Sequence, residues 1–228
     1  MRFAGGWCSA LCIGLAMAPA SAADKAAVDG SPQVMAMADE LVALALEFDP
    51  TPAYYEVLPL ARHDYLPRNS IPDNARLDAS EDALWARLQA IDPQRLSDRR
   101  AQLAYAQVRE ILESTRALRA CKAEEWNVNH MFGWQMNFTD LADRQPVGTA
   151  DERTQALKRW RALPAYIDTE IANLRAGLKD GYSAPKAVVA RVVKQFDRML
   201  AVEPRESPFF APAKKAGDAA FAKEFEAL

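Results

Sequence analysis

The sequence has 228 residues, with 28 lysines and arginines against 31 aspartates and glutamates, and a formal net charge of −3. This length allows one sizeable core or two small ones. The mild charge, with both signs interspersed along the chain, disfavours a nucleic-acid-binding surface.

Residues 1–22 have the order of a secretory signal peptide. Arg2 gives a basic start, residues 7–17 form an apolar run too short to span a bilayer, and small residues end at Ala22. We predict cleavage after Ala22 and export to a bacterial periplasm; the alternative is a buried N-terminal helix. Residues 23–228 lack an apolar stretch long enough for a membrane span, and their one cysteine, Cys121, allows no internal disulfide.

The first part of the remaining chain predicts two helices separated by an irregular segment. One helix begins at Ser31, with a proline in its first turn, and ends before Pro50. Residues 51–79 are rich in proline and tyrosine and have no sustained period, which predicts an ordered irregular segment. Ser80 then caps a short helix that ends at Asp92. The buried face predicted for the first helix consists of Val34, Met37, Leu41, Leu44 and Phe48.

The longest predicted helix begins at Ser97. It precedes residues 121–148, which lose the helical period and are rich in aromatic and amide side chains. Thr149 and Glu152 then have the spacing of a capping box, in which each side chain satisfies a free backbone donor of the other. The buried face predicted for the longest helix consists of Ala104, Val108, Ile111, Thr115 and Leu118.

Two helices follow the capping box, divided near Pro164, and Gly181 ends the second of them. Another helix starts at Ser183 and closes before Pro204. The buried face predicted for the helix that Gly181 ends consists of Leu163, Ile167, Ile171, Leu174 and Leu178. No segment alternates like a strand, so we predict an all-α fold in which residues 23–228 form one domain of antiparallel amphipathic helices.

The last helix is predicted to run to the end of the sequence. Phe221, Phe225 and Leu228 recur on one of its faces, and no stop signal follows them. Exposed aromatic side chains on such a helix would need a partner surface. We therefore expect the chain to be part of a larger helical fold, with either a missing C-terminal half or a partner protein covering this face.

Three common hydrolytic and nucleotide-binding motifs are missing from the sequence. There is no His-Glu-x-x-His, and the two histidines, His63 and His130, are far apart. There is also no Gly-x-Ser-x-Gly turn and no glycine-rich phosphate loop. The group Cys121, Glu124, Glu125 and His130 has no recognised metal-ligand spacing, so no metal site is predicted here.

Residues 121–135 form the one unusual cluster of side chains. The aromatic and amide groups of this segment could line a cleft that grips a peptide or small ligand. Alternatively, the rings pack beneath a loop and the amides satisfy its backbone, an interpretation we favour because such loops commonly need anchoring. The substrate-cleft candidates under the first interpretation are Trp126, Asn127, Trp134 and Gln135.

Two smaller groups have ordinary interpretations. His63 is followed by Asp64, and although a proton-transfer pair is conceivable, an imidazole hydrogen-bonded within an ordered loop is the usual case. The basic residues around Trp160, among them Arg159, are interpreted as a solvated helix face.

Several short stretches together resemble a large family of mostly exported bacterial proteins, the domain of unknown function 885 family. The resemblance covers nearly all of residues 23–228, and about the first third to half of a usual member. The stretches that carry it are residues 87–113, Trp126-Asn127, Gly133-Trp134-Gln135, Gln145-Pro146, Arg159-Trp160-x-x-Leu163-Pro164, Asn173-Leu174-Arg175-x-Gly177, Gly181-Tyr182-Ser183-Ala184-Pro185 and Ser207-Pro208-Phe209.

The resemblance implies a helical, zincin-like fold related to metallopeptidases, with a zinc-binding signature in the later half of the family's proteins. No zinc ligand of the family falls on a position of this chain, so zinc is implied for full-length relatives only. Our first hypothesis is therefore that the chain is the N-terminal, channel-shaping part of an exported peptidase-like hydrolase whose substrate is a peptide. The chain alone would be inactive. The alternative is a free-standing periplasmic binding or assembly module.

Overall fold

The computed structural model describes residues 29–228, and the predicted signal peptide at residues 1–22 lies outside them. The described residues are helical and contain no strand, which confirms the all-α class. None of their helices is both long and apolar enough to cross a membrane. The α-helices are α1 Ser31–Phe48, α2 Thr51–Glu56, α3 Ile71–Gln89, α4 Arg99–Leu118, α5 Trp134–Arg144, α6 Ala150–Arg161, α7 Leu163–Asp180, α8 Lys186–Leu200, α9 Ala211–Ala216 and α10 Ala219–Glu226.

The helices α1, α3 and α4 pack against one another around an aliphatic core. The predicted face of α1 is buried or half-buried throughout. In α4, however, the buried face includes Leu112, whereas the predicted members Ile111 and Leu118 are 39% and 63% exposed. Apolar residues stand at both 111 and 112, so the helical period alone does not say which of the two is buried. The packing of α1 and α3 against α4 selects Leu112. This core consists of Met37, Leu41, Leu84, Leu88, Val108 and Leu112.

Residues 51–79 are not irregular throughout, which corrects the prediction. The side chain of Asp49 accepts a hydrogen bond from the backbone N–H of Thr51, and this contact starts the short helix α2. The helix α3 begins at Ile71 and not at Ser80, because Ser70 caps it by accepting from the N–H of Asp73. Only residues 57–70 remain as the irregular connection between α2 and α3.

The helices α5, α6, α7, α9 and α10 surround a second core, which is rich in aromatic side chains. Phe221 and Phe225 of α10 are 5% and 7% exposed and pack in this core against one another. The expectation that these two rings are exposed is therefore wrong, although Leu228 is 45% exposed. The capping box of Thr149 and Glu152 is present at the start of α6, as predicted.

The face that α7 buries adjoins the predicted one but does not coincide with it, since the predicted members Leu163, Ile167 and Leu174 are only half-buried. Its buried residues are Tyr166, Glu170, Asn173 and Gly177, whereas Leu178 is 67% exposed. The polar and small residues of this face pack against residues 123–126. Gly177 permits a close approach there, because a Cβ at this position would overlap the carbonyl oxygen of Glu125. Apolar periodicity therefore predicts the helix but not its orientation.

Candidate functional site

The segment between α4 and α5 lies against α7 and carries the predicted cleft residues Trp126 and Asn127, while Trp134 and Gln135 begin α5. It consists of two turns of 3₁₀ helix joined at Lys122, whose φ of 43° places it in the left-handed region. The ammonium of Lys122 holds this turn by ion pairs with Glu125 at 3.1 Å and with Asp180 of α7 at 2.9 Å. These contacts and the approach at Gly177 set the position of the following residue pair, Trp126 and Asn127.

A cavity of about 210 Å³ lies between residues 127–135, α7 and α8. Asn127, Trp134 and Gln135 line it, so three of the four predicted cleft residues share one cavity. The rest of its lining is apolar apart from Glu170, and consists of Val128, Ile167, Ile171, Leu174, Val192 and Phe196. Apolar walls with a few converging polar groups are the usual composition of a ligand site.

The side chains of Gln135 and Trp134 are held in the cavity wall by specific contacts. The amide nitrogen of Gln135 donates to the carbonyl of Asn129 at 2.8 Å and to the side-chain oxygen of Gln195 at 3.1 Å. The ring of Trp134 lies 5.5 Å from that of Phe196, centroid to centroid. The cavity wall is thus ordered by its own hydrogen bonds and ring contacts.

Trp126, the fourth predicted cleft residue, lies outside this cavity. Its indole N–H donates to the carbonyl oxygen of Cys121 at 2.9 Å, and the ring is 38% exposed. For this residue the alternative interpretation, a ring that anchors its own loop, describes the contact that the structure contains.

Glu170 on α7 is the residue of this site that sequence reasoning missed. It is 4% exposed, and its two carboxylate oxygens accept hydrogen bonds from the amides of Asn69 at 2.7 Å and Asn127 at 3.0 Å. Burial raises the pKa of this carboxyl group, and the hydrogen bonds from Asn69, Asn127 and Tyr166 oppose that rise. Asn173, one turn further on, donates to the carbonyl oxygen of Asn69 at 2.6 Å.

Glu170 and Asn127 also line a second cavity, of about 240 Å³, on the side of α1 and α3. The two residues therefore lie between two recesses. A sequence signal for this arrangement existed at Gly177, because a glycine inside a helix is unfavourable unless another backbone approaches it closely.

A second buried polar group surrounds Arg159 of α6, which is 0% exposed. Its guanidinium donates to the carbonyl of Tyr65 at 2.9 Å, to the side-chain oxygen of Gln145 at 2.7 Å and to the hydroxyl of Tyr54 at 2.7 Å. Burial lowers the pKa of this guanidinium. The interpretation of Arg159 as part of a solvated helix face is therefore wrong.

His63 joins this group as an ordinary loop histidine. The hydroxyl oxygen of Tyr54 accepts a hydrogen bond from Arg159, so its own O–H is free to donate to Nδ1 of His63, 2.6 Å away. Burial, and next the charge of Arg159, lowers the pKa of the imidazole. Asp64 instead accepts from Arg62 and Lys158, so no His63–Asp64 proton-transfer pair forms.

Comparison with protein families shows which family the chain belongs to. The model of the family of bacterial proteins of unknown function DUF885 matches residues 52–228. The chain belongs to this family. No curated protein matches it. The matched range includes both buried polar groups and every residue of the 210 Å³ cavity.

The residues that the structure describes in this DUF885 protein do not fit a zinc site. Between positions 29 and 228, no three histidine, cysteine, aspartate or glutamate side chains are arranged to hold a metal ion. His63 bonds to Tyr54, and His130 bonds to Arg191 at 3.0 Å through Nε2. No chemical step of this chain is therefore assigned to zinc.

Proposed function

We propose that this chain is the N-terminal helical part of an exported peptidase-like hydrolase and forms the wall of its substrate channel. The observation that carries the proposal is the 210 Å³ cavity, where Asn127, Trp134 and Gln135 meet on an otherwise apolar surface. The order of residues 1–22 supports export, and the family resemblance supports the hydrolase.

The surroundings of the cavity suit an extended peptide. Part of its apolar lining is open to solvent, for example Ile171 of α7 at 39% exposure. Apolar side chains of a peptide would pack on this surface, and amides such as Asn127 offer hydrogen bonds to its backbone. The part of this chain in catalysis would be to bind and orient the substrate, which lowers the entropic part of the barrier.

The experiment that tests the proposal measures peptide binding through tryptophan fluorescence. A short peptide with apolar side chains should change the emission of the purified chain, and Trp134→Phe should remove most of that change. Trp126→Phe is the matched control, because its ring lies outside the cavity and its loss should leave the change in place. An unchanged emission in the wild-type chain, or equal effects of the two variants, would contradict the proposal.

A second measurement addresses hydrolysis. We expect the purified chain to contain no stoichiometric zinc and to release no product from peptides. Stoichiometric zinc with turnover would contradict the assignment of catalysis to residues outside this chain.

The alternative, a free-standing periplasmic binding or assembly module, would use Phe221, Phe225 and Leu228 as a partner surface. Only Leu228 of these three is exposed. Phe225 and Leu228 nevertheless line a cavity of about 440 Å³, and a partner of such a module would enter it.

A further inference from the structure

Glu170 differs from the other buried acidic residues of the described chain in having no basic partner. Four aspartates and glutamates between positions 29 and 228 are at least nine-tenths buried. The ion pairs of the other three are Asp64 with Lys158 at 2.6 Å, Glu81 with Arg119 at 3.0 Å and Glu125 with Lys122 at 3.1 Å. Glu170 has only neutral amide and hydroxyl partners.

A buried carboxylate that lacks a counter-charge is costly, because desolvation is not offset by attraction to a cation. The amides of Asn69 and Asn127 donate one hydrogen bond to each oxygen and the hydroxyl of Tyr166 donates a third, whereas a carboxylate accepts up to about four. The carboxylate therefore retains capacity for a donor on a ligand. It lines both cavities, so a ligand group in either recess is within its reach.

The walls beside Glu170 favour a cation that carries an apolar group. The rings of Trp134 and Phe196 line the same cavity, and ring faces attract a desolvated ammonium group. Ile167, Ile171 and Leu174 offer apolar surface next to the carboxylate. The volume of about 210 Å³ suits a compact group such as one amino-acid residue.

We propose that Glu170 binds the free amino-terminal ammonium group of the peptide substrate, with the first side chain packed in the 210 Å³ cavity. This inference rests on the proposed function and deepens it: the substrates are peptides with an unblocked amino terminus. Glu170 is a binding residue in this proposal and takes no part in bond cleavage.

Glu170 also stabilises the fold, so the experiment must distinguish its binding role from this structural role. Its bonds to Asn69 and Asn127 join three segments of the chain, and Asn173 joins two of the same segments through the carbonyl of Asn69. Asn173→Ala therefore weakens the same junction while keeping the carboxylate. It is the matched control for Glu170→Gln.

The experiment titrates the tripeptide Leu-Ala-Ala and its N-acetylated form into the purified chain by calorimetry. The free peptide should bind about tenfold tighter or more, because a hydrogen-bonded ion pair is lost on acetylation. Glu170→Gln should abolish this difference, and Asn173→Ala should preserve it. Circular dichroism establishes that each variant is folded.

The outcomes separate the two proposals. Equal binding of the two peptides to the wild-type chain overturns the role of Glu170 and leaves the channel wall standing, and this comparison needs no variant. A preference that survives in Glu170→Gln also overturns it. Binding of neither peptide overturns both proposals.

Discussion

The two cores of this protein are built from different kinds of residue. The core of α1, α3 and α4 is aliphatic, and its one buried acidic residue, Glu81, is paired with Arg119 at its edge. The core formed by α5, α6, α7, α9 and α10 is aromatic, and buried polar groups at Arg159 and Glu170 adjoin it. The candidate site lies beside the second core.

The two cores therefore differ in how their buried groups are stabilised. Aliphatic side chains at helical spacing need only each other, whereas a buried guanidinium or carboxylate must have its hydrogen bonds supplied by distant segments. Arg159 takes them from residues 54, 65 and 145, and Glu170 takes them from residues 69 and 127. Costly buried polar groups beside cavities are typical of binding sites.

The largest expected effect comes from the aliphatic core. Leu112→Ala removes a side chain that is 0% exposed and leaves a cavity, which should lower the free energy of unfolding by about 2–5 kcal/mol. Leu103→Ala, on the same helix at 56% exposure, is the matched control and should have little effect. Denaturant unfolding measures both, and equal losses would mean that the assigned buried face of α4 is wrong.

The contact between α7 and residues 123–126 should be nearly as sensitive. Gly177→Ala places a Cβ against the backbone of Glu125, and we expect a loss of about 3 kcal/mol and weaker peptide binding. In the comparison variant Gly148→Ala, the new Cβ lies 3.3 Å from the Glu152 carboxylate oxygen of the capping box, which is a milder contact than the overlap with backbone at Gly177. A thermal unfolding midpoint that falls equally in both variants would contradict the close approach.

The third prediction concerns the buried guanidinium. Arg159→Met should lower the free energy of unfolding by about 2 kcal/mol, since buried acceptors at Gln145 and Tyr65 lose their donor while the cost of burying a cation is removed. Arg161→Met, which breaks only an exposed pair with Glu224, should leave stability unchanged within error. A stabilised Arg159→Met would show that the burial cost exceeds the hydrogen bonds.

The smallest effect is a pH dependence that involves His63. Its pKa is lowered in the folded chain, so the folded state favours the neutral ring. The resulting stability is fully present above about pH 6.5, the ordinary pKa of histidine, and is lost as the pH falls through the lower folded value. His63→Gln should therefore flatten the fall in unfolding free energy between about pH 7.5 and 5. An unchanged slope would contradict this.

Local signals determined much of the helical framework. The Thr149–Glu152 capping box and Gly181 mark helix boundaries that the structure contains, because caps act on backbone groups within one turn. The first helix also begins at Ser31 as predicted, but Gly30 is its cap residue and Ser31 does not cap it. The start of α3 was also encoded locally, by Ser70 and the proline two residues later, but the surrounding proline-rich composition concealed it. Three of the four predicted cleft residues share a cavity, whereas their function as a cleft stays a prediction.

The sequence by itself determined that the described residues are helical and the approximate positions of α1, α4, α6, α7 and α8, whereas α2, α5 and α9 were not predicted as separate helices. Only the tertiary structure decided which face each helix buries: α7 turns Glu170 and Asn173 inward, and α6 buries Arg159. The physical reason is that apolar periodicity reflects which side chains of a single helix leave water most favourably, so it can be read from that helix alone. The burial of a polar face depends on hydrogen bonds from residues about 100 positions away in sequence, such as Asn69 with Glu170.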